Sequence, residues 1–290
     1  MLPGLSIADW RPTQETFHLV TQMVGKIRAA TTPPRNHWWH VALNVGARGL
    51  TSGPLLHQER VFEITIDLSS HELLVQTAGD RTRSVQLADG RSVADVYVQL
   101  RAALEELGVD VVIREEPFGM SSSTPFRENT AHASWDRDAV ERFHRTLLWS
   151  HSVLEEFSGR FVGKQSPVHF MWQSFDLSVT RFSGRPSGVT ASDLVNREAY
   201  SHEAFLFGFC MGNQWTMPDA CFYTFAVPAP EGFRDVPLAG GDWSPAGIGV
   251  LPYERVRSAG DPRDSLLAFF QSAYDGVARL AAWDIASFER

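Results

Sequence analysis

Three ionisable side chains of this chain could carry out acid–base chemistry together: His202, Glu203 and Asp176. His202 and Glu203 are adjacent at the start of one strand-like segment, and Asp176 lies within another. A histidine that titrates near neutral pH can act as a general base or acid, and a carboxylate can orient its ring. We therefore predict His202 as the proton-transfer residue, with Glu203 or Asp176 as its partner.

Polar side chains that could contact a substrate occur in two further places. His40, Asn44 and Arg48 recur at even spacing in a strand-like segment, so they are expected on one sheet face, where they could line a cavity. In the second half of the chain, Arg181 could join Arg48 in holding a carboxylate, and Trp172 would supply an aromatic wall. These five residues are the predicted substrate-binding set.

A divalent metal is the one cofactor that the sequence leaves open. A subset formed by His40, His202 and Glu203 has suitable donor atoms, and this is a variant of the acid–base hypothesis. No HExxH string is present. The chain also lacks a glycine-rich dinucleotide motif after a strand, a phosphate-binding GxxxxGK loop, a GxSxG elbow and a CxxC pair, so no nucleotide cofactor is expected.

Two segments of the chain resemble each other, which predicts an internal duplication. The string VGK occurs at residues 24–26 and again at 162–164, and an aromatic, histidine-containing string follows each copy, HWWH at 37–40 and HFMW at 169–172. Two fused, diverged copies commonly meet on a pseudo-twofold axis, and a pocket tends to form at the seam between them. An aromatic-lined pocket is expected there.

Hydrophobic periodicity predicts an α+β fold with antiparallel sheets covered by helices. Residues 1–115 would form the first repeat, 116–135 a connector and 136–290 the second repeat, and the two pseudo-symmetric halves would share one core in a compact globular domain. The stretch 228–262 is rich in Gly, Pro and Asp and is predicted as loops. The expected helices cover residues 13–30, 93–107, 136–161 and 266–282, and the expected strands cover 37–50, 62–68, 71–77, 83–87, 168–182, 201–211 and 220–227.

Composition limits the classes of partner. The 290 residues are 43% hydrophobic and 11% aromatic, enough for a substantial core, and the net charge of −8 with no basic cluster argues against nucleic acid or an anionic membrane. With no long apolar run, no signal-peptide pattern and only Cys210 and Cys221, the chain is expected in the cytoplasm, as a monomer or homodimer that binds a small molecule.

Three strings are distinctive of a known family: HWWHV at residues 37–41, SFDLSVTRFSGR at 174–185 and REAYSHE at 197–203. On these strings the chain resembles an uncharacterised bacterial family that is known only as a domain of unknown function. The resemblance covers nearly the whole chain. It implies a single domain of bacterial origin and carries over no activity and no catalytic residue.

Two hypotheses for the function follow from the residues. The first is an enzyme that uses acid–base chemistry, with or without a metal, on a small organic molecule bound between the two repeats. The second is a non-catalytic module that binds a small molecule or a protein, in which the same polar side chains form a buried network.

Overall fold

The computed structural model describes residues 2–213 and 217–289, which form seven α-helices and two six-stranded antiparallel sheets. The helices are α1 (Ile7–Thr31), α2 (Val93–Glu106), α3 (Arg137–Gly159), α4 (Leu194–Ala199), α5 (Tyr253–Arg257), α6 (Pro262–Leu280) and α7 (Ile285–Phe288). The α+β prediction is confirmed.

The first sheet is built from the first half of the chain. Its strands are β1 (Asn44–Gly46), β2 (Gly49–Thr51), β3 (Leu55–His57), β4 (Arg60–Asp67), β5 (Glu72–Thr77) and β6 (Thr82–Gln86). The order across the sheet is β1-β2-β4-β5-β6, and β3 pairs with the start of β4, beyond the end of β2. The sheet is therefore a meander in which neighbours in sequence are mostly neighbours in space.

The second sheet is built from the second half. Its strands are β7 (His169–Met171), β8 (Asp176–Pro186), β9 (His202–Cys210), β10 (Cys221–Val227), β11 (Asp242–Trp243) and β12 (Gly249–Pro252), in the order β11-β12-β10-β9-β8-β7. The two sheets meet at an antiparallel bridge between Leu43, just before β1, and Phe170 in β7. The seam between the halves passes through this bridge.

One hydrophobic core joins both halves. Helix α2 packs on β5 and β6, while α3 packs on β8 and β9, and α1 contacts both α2 and α3. Along β9 the side chains alternate, so Phe205, Phe207 and Phe209 are buried in the core while Gly208 and Cys210 face the other side of the sheet. Side chains on that second face of β9 consequently lie outside the main core.

Helix starts follow the expected local chemistry. Ser92 and Asp95 form a capping box at the start of α2, each side chain accepting a hydrogen bond from the other residue's backbone N–H. Asp136 caps α3 by accepting from the Ala139 N–H. None of the helices within the described residues combines the length and the apolar character that a membrane span needs.

Two predicted strands are corrected. The predicted strand 37–50 is not continuous, because Asn36–Trp38 is a 3₁₀ turn and the strand that begins at Asn44 turns back after Gly46 to pair with β2. The predicted strand 168–182 is a hairpin, with β7 and β8 paired antiparallel around residues 172–175. In both places contacts made by aromatic side chains across the seam override the local alternation pattern.

Other boundaries also differ. The stretch 228–262, predicted as loops, contains β11, β12 and α5. The order helix, antiparallel meander, helix occurs in both halves, yet the two VGK strings occupy different places: residues 24–26 lie inside α1, and residues 162–164 lie beyond the end of α3. The duplication stays a prediction.

Candidate functional site

Asp176, the first residue of β8, is the most deeply buried carboxylate of the predicted site. Ser174 donates a short hydrogen bond to Asp176 Oδ1, and the Tyr223 hydroxyl donates another to Oδ2. Burial raises the pKa of the Asp176 carboxyl, and the hydrogen bonds from Ser174 and Tyr223 oppose that rise. Both carboxylate oxygens are thus satisfied by hydroxyl groups rather than by a cation.

A glycine makes this arrangement possible. Tyr223 lies on β10 and Asp176 on β8, so the phenol must cross the strand between them, β9. It does so over Gly208, where a Cβ atom would lie 2.5 Å from Tyr223 Cζ. Any larger residue at position 208 would displace the ring, because the contact is far closer than a carbon–carbon van der Waals distance.

Ser174 connects the buried carboxylate to a cavity of about 310 Å³ at the seam. Its side chain is exposed there, whereas Asp176 behind it is buried. We call this space the seam cavity. It lies between α1, the connector and the turn of the β7–β8 hairpin, and it is lined by Arg11, Gln14, Glu15, His18, Gly119, Met120, Ser121, Gln173, Ser174, Phe175, Gly212 and Asn213.

The connector wall of the cavity is held by an amide clamp from α1. Gln22 Nε2 donates to the Phe118 carbonyl at 2.8 Å, and the Phe118 N–H donates to Gln22 Oε1 at 2.8 Å. Gln14 Nε2 makes a similar bond, at 2.9 Å, to the carbonyl of Gly212 on the opposite wall. Two glutamines of one helix therefore fix both sides of the cavity, which favours a pre-formed site.

His18 supplies a neutral imidazole to the same cavity. Its Nε2 donates to the Trp172 carbonyl at 2.8 Å, and the ring lies 5.0 Å from the Phe175 ring. Burial lowers the His18 pKa to about 4, so the ring is uncharged at neutral pH. With Nε2 protonated, Nδ1 is left as a hydrogen-bond acceptor.

Gln173 lines the cavity and has an unsatisfied acceptor. Its Oε1 atom is buried and receives no hydrogen bond from the described residues. A buried polar atom without a partner costs about 1–3 kcal/mol, and such atoms are uncommon in folded proteins. The Gln173 amide would have to rotate before a molecule in the cavity could reach Oε1.

The predicted partnership of His202 with Asp176 is not formed. His202 begins β9, while Asp176 pairs with Cys210 at the other end of the same strand. At about 3.3 Å per residue, this nine-residue strand separates His202 from Asp176 by roughly 26 Å. The two residues belong to different surroundings.

His202 lies instead beside a lysine–histidine pair. Its ring meets the His37 ring edge-on at 5.6 Å, and Lys164 Nζ donates to His37 Nε2 at 3.1 Å. The other nitrogen of His37, Nδ1, donates to the Ala199 carbonyl at 3.1 Å, which leaves Nε2 as the acceptor for the lysine. This cluster places one lysine beside two imidazole rings, and no carboxylate of the described residues hydrogen-bonds His202.

Glu203 projects from the opposite face of β9, since adjacent strand residues alternate. Its Oε2 accepts hydrogen bonds from Arg185 Nη2 at 2.7 Å and from Ser183 Oγ at 2.8 Å. Glu203 therefore forms a salt bridge with Arg185 and is no partner for His202. Within residues 2–213 and 217–289, no three His, Cys, Asp or Glu side chains are grouped as metal ligands, so His40, His202 and Glu203 do not form the predicted metal set.

The predicted anion clamp is not formed either. Arg48 makes a salt bridge with Asp67 on the first sheet. Arg181 is 1% exposed, with its guanidinium carbon 3.7 Å from the Phe157 ring centre and 4.5 Å from that of Tyr274. Burial lowers the Arg181 pKa to about 9. Arg181 is a core residue, stabilised by cation–π contacts, and no substrate reaches it.

The remaining predicted contacts lie near the seam. Trp172 donates from Nε1 to the Val41 carbonyl at 2.9 Å, while its own carbonyl accepts from His18. Trp172 thus links the turn at residues 35–40 to the seam cavity. Asn44 begins β1, where it pairs with Thr51, and His40 lies in the turn just before it.

The sequence analysis did not select His18, Gln173, Ser174 or Tyr223. A signal existed for Ser174, which stands two residues before Asp176 on the predicted polar face. No sequence signal exists for Tyr223, because its contact with Asp176 depends on the register of three strands. His18 lies within an apolar helix, where an isolated histidine does not stand out.

Comparison with known proteins gives a family but no activity. Neither a curated protein nor a solved structure matches this chain. A family model described as a family of unknown function, DUF5996, matches residues 2–290. The chain belongs to this family.

Proposed function

We propose that the seam cavity binds a small polar molecule and that Asp176, acting through Ser174, exchanges a proton with it. The observation that carries the proposal is the pairing of a buried carboxylate with an exposed serine hydroxyl at the edge of a cavity. Groups whose pKa is shifted by burial in a cleft are concentrated at functional sites.

The polarity of the cavity indicates the kind of molecule. The neutral His18 ring and the exposed Ser174 hydroxyl are acceptors that line the cavity, and Arg11 and Glu15 add one charge of each sign. A ligand with hydrogen-bond donors, such as an amide, an amine or a polyol, fits these acceptors. A volume of about 310 Å³ corresponds to a metabolite-sized molecule.

The proton transfer itself needs no further reagent. A C–H or O–H group of the substrate gives its proton to Ser174 Oγ while the Ser174 hydroxyl proton passes to Asp176 Oδ1. The substrate is left as an anion and Asp176 as a neutral acid, and the reverse transfer returns a proton. A pKa raised by burial makes Asp176 a stronger base than an exposed aspartate, and Tyr223 holds the carboxylate in place.

The experiment begins with a defined library of small amides, amines, amino acids, hydroxy acids and polyols, screened by thermal shift on the wild-type protein. Each compound that stabilises the protein is measured again on Ser174→Ala and Asp176→Asn. Ser152→Ala is the control, because its exposed hydroxyl lies on α3 outside the cavity. Turnover of each compound is followed by mass spectrometry and by exchange of its carbon-bound protons in D₂O, because O–H and N–H protons exchange without a catalyst.

The proposal expects at least one compound whose binding is weakened by Ser174→Ala and unchanged in the control. It also expects wild-type-dependent proton exchange that Asp176→Asn abolishes. If no compound binds, or if binding is equal in all variants, the seam cavity is not a ligand site. Binding without exchange or turnover would reject the catalytic part and leave a binding module.

A further inference from the structure

The turn formed by residues 35–40, hereafter the HWWH turn, has a strained backbone. His37 and Trp38 have φ of 57° and 62°, and they are the only adjacent non-glycine residues with positive φ in the described parts of the chain. Left-handed backbone at bulky residues costs about 1–3 kcal/mol each and persists where surrounding contacts impose it, commonly at ligand sites. The proposed function does not involve the HWWH turn.

A buried arginine supports this turn. Arg28 of α1 is 9% exposed and donates from Nε to the His40 carbonyl at 2.9 Å. None of the described carboxylates pairs with it, and the charge that acts on its guanidinium is that of a second cation, Arg35. Two like charges in a partly buried place repel each other unless an anion lies between them.

Further hydrogen-bond donors of the turn lack acceptors. The Trp38 indole N–H is buried without a partner among the described residues, and the Trp38 ring lies 5.2 Å from the His40 ring. The Arg35 N–H donates to His40 Nδ1 at 3.2 Å, so a neutral His40 carries its proton on Nε2 and offers a second N–H. The turn thus offers an indole and an imidazole N–H, and the charges of Arg28 and Arg35 both act on the His40 ring.

A histidine of the second half, close to this turn, also has a buried nitrogen without a hydrogen-bond partner among the described residues. His169 in β7 is 6% exposed, and its Nδ1 has no partner in the described ranges. Its pKa falls to about 4, because burial and the nearby charges of Arg28 and Arg35 all disfavour protonation. An acidic side chain, that of Glu198 in α4, also acts on the turn and raises the pKa of His40.

We infer that Arg28, Arg35, Trp38 and His40 form a binding site for an oxyanion, either a phosphate or a carboxylate group of a small molecule. Guanidinium groups bind both of these in a forked arrangement, and the indole and imidazole N–H groups add single donors. The exposed Arg35 lies at the surface side of the site, and the buried Arg28 at its base. This site is separate from the Ser174–Asp176 pair and does not depend on the proposed function.

Isothermal titration calorimetry of the full chain tests the site, with sodium phosphate and sodium acetate titrated separately at pH 7 and constant ionic strength. The variants are Arg35→Gln, which removes an exposed charge, and Trp38→Phe, which removes the N–H and keeps an aromatic ring. Arg91→Gln is the matched control, since Arg91 is a partly exposed surface arginine whose guanidinium hydrogen-bonds only Gln99 among the described residues.

The expected result is saturable binding of at least one anion to the wild type. Losing one guanidinium contact should weaken binding by about tenfold in Arg35→Gln, and losing one neutral hydrogen bond should weaken it by about fivefold in Trp38→Phe. Arg91→Gln should bind like the wild type. Preference for phosphate or for acetate identifies which oxyanion the site accepts.

Glu198→Gln separates a ligand site from a merely structural cluster. Removing this acidic charge should tighten anion binding by a few-fold, whereas a merely structural cluster would show saturable anion binding in neither protein. The His40 Nε2–H signal in ¹⁵N NMR should move on titration. Absence of saturable binding of both anions, or equal loss in Arg35→Gln and Arg91→Gln, would overturn the inference.

Discussion

Replacing His169 with glutamine should make the protein more resistant to acid. The wild-type ring has a folded-state pKa of about 4, against 6.5 for an ordinary histidine. Between these two values the unfolded chain binds a proton that the folded protein does not, so stability falls as the pH falls through this range. A glutamine of similar size cannot take up the proton.

The magnitude follows from the two pKa values. At pH 4.5 a histidine with these values lowers the free energy of unfolding by about 2.5 kcal/mol relative to pH 7.5, since each pKa unit corresponds to about 1.4 kcal/mol. His169→Gln should therefore lose about 2.5 kcal/mol less stability than the wild type between those two pH values. The rest of the wild type's loss of stability comes from other groups, His18 among them.

Urea unfolding followed by tryptophan fluorescence measures this difference. Wild type and variant are each unfolded at pH 7.5 and at pH 4.5, and the comparison at pH 7.5 reports any loss of packing caused by the substitution itself. The quantity of interest is the difference between the two pH-dependent losses. If both proteins lose the same stability on acidification, His169 is not held neutral by burial and by the two arginines.

Three further predictions concern the core and the site. Gly25→Val should lower the free energy of unfolding by about 3 kcal/mol in urea titrations, since a Cβ there would lie 2.2 Å from Trp172 Cδ1; an unchanged midpoint would contradict this close packing. Arg181→Met should be as stable as the wild type or more stable, because it removes a buried charge and fills the same space. Arg181→Ala should cost about 3 kcal/mol because of the cavity it leaves. Equal losses of stability in both variants would show that the charge itself stabilises the core. The folded-state pKa of Asp176 is raised above 3.8, so the wild type loses stability as the pH rises from 3.8 through the raised value. Asp176→Asn lacks this loss and should gain stability relative to the wild type over that rise in pH. Thermal melts of the two proteins that run parallel from about pH 3.5 to about pH 8 would refute the shift.

The long elements could be predicted from the sequence because their signals are local. The periods of α2 and α3 and the alternation in β4 and β9 are visible in windows of ten to fifteen residues. The α+β class and the antiparallel sheets follow from them. These helices and strands begin and end close to the predicted residues, and the small differences at the helix ends depend on capping.

The HWWH turn could not be predicted because tertiary contacts determine it. Residues 37–45 alternate as a strand would, yet His37 adopts φ of 57° and packs 4.4 Å from the Phe182 ring, with Lys164 beside it. These partners lie more than 120 residues away in the chain. A local pattern cannot report a conformation that distant side chains impose.

The site was predicted only in part for the same reason. Asp176 was selected as a carboxylate on the polar face of a predicted strand, and it proved to be buried at the seam. His202 was assigned to it on the assumption that neighbouring strands bring their polar residues together. The antiparallel register places them at opposite ends of β9, and one register fixes both this separation and the contact with Tyr223 across Gly208.

The most direct test of the central claim is a crystal structure of the protein with the library compound that stabilises it most. The account predicts density for that compound in the seam cavity, with a polar atom within about 3 Å of Ser174 Oγ. Density at another place on the molecule, with the seam cavity containing only water, would contradict it.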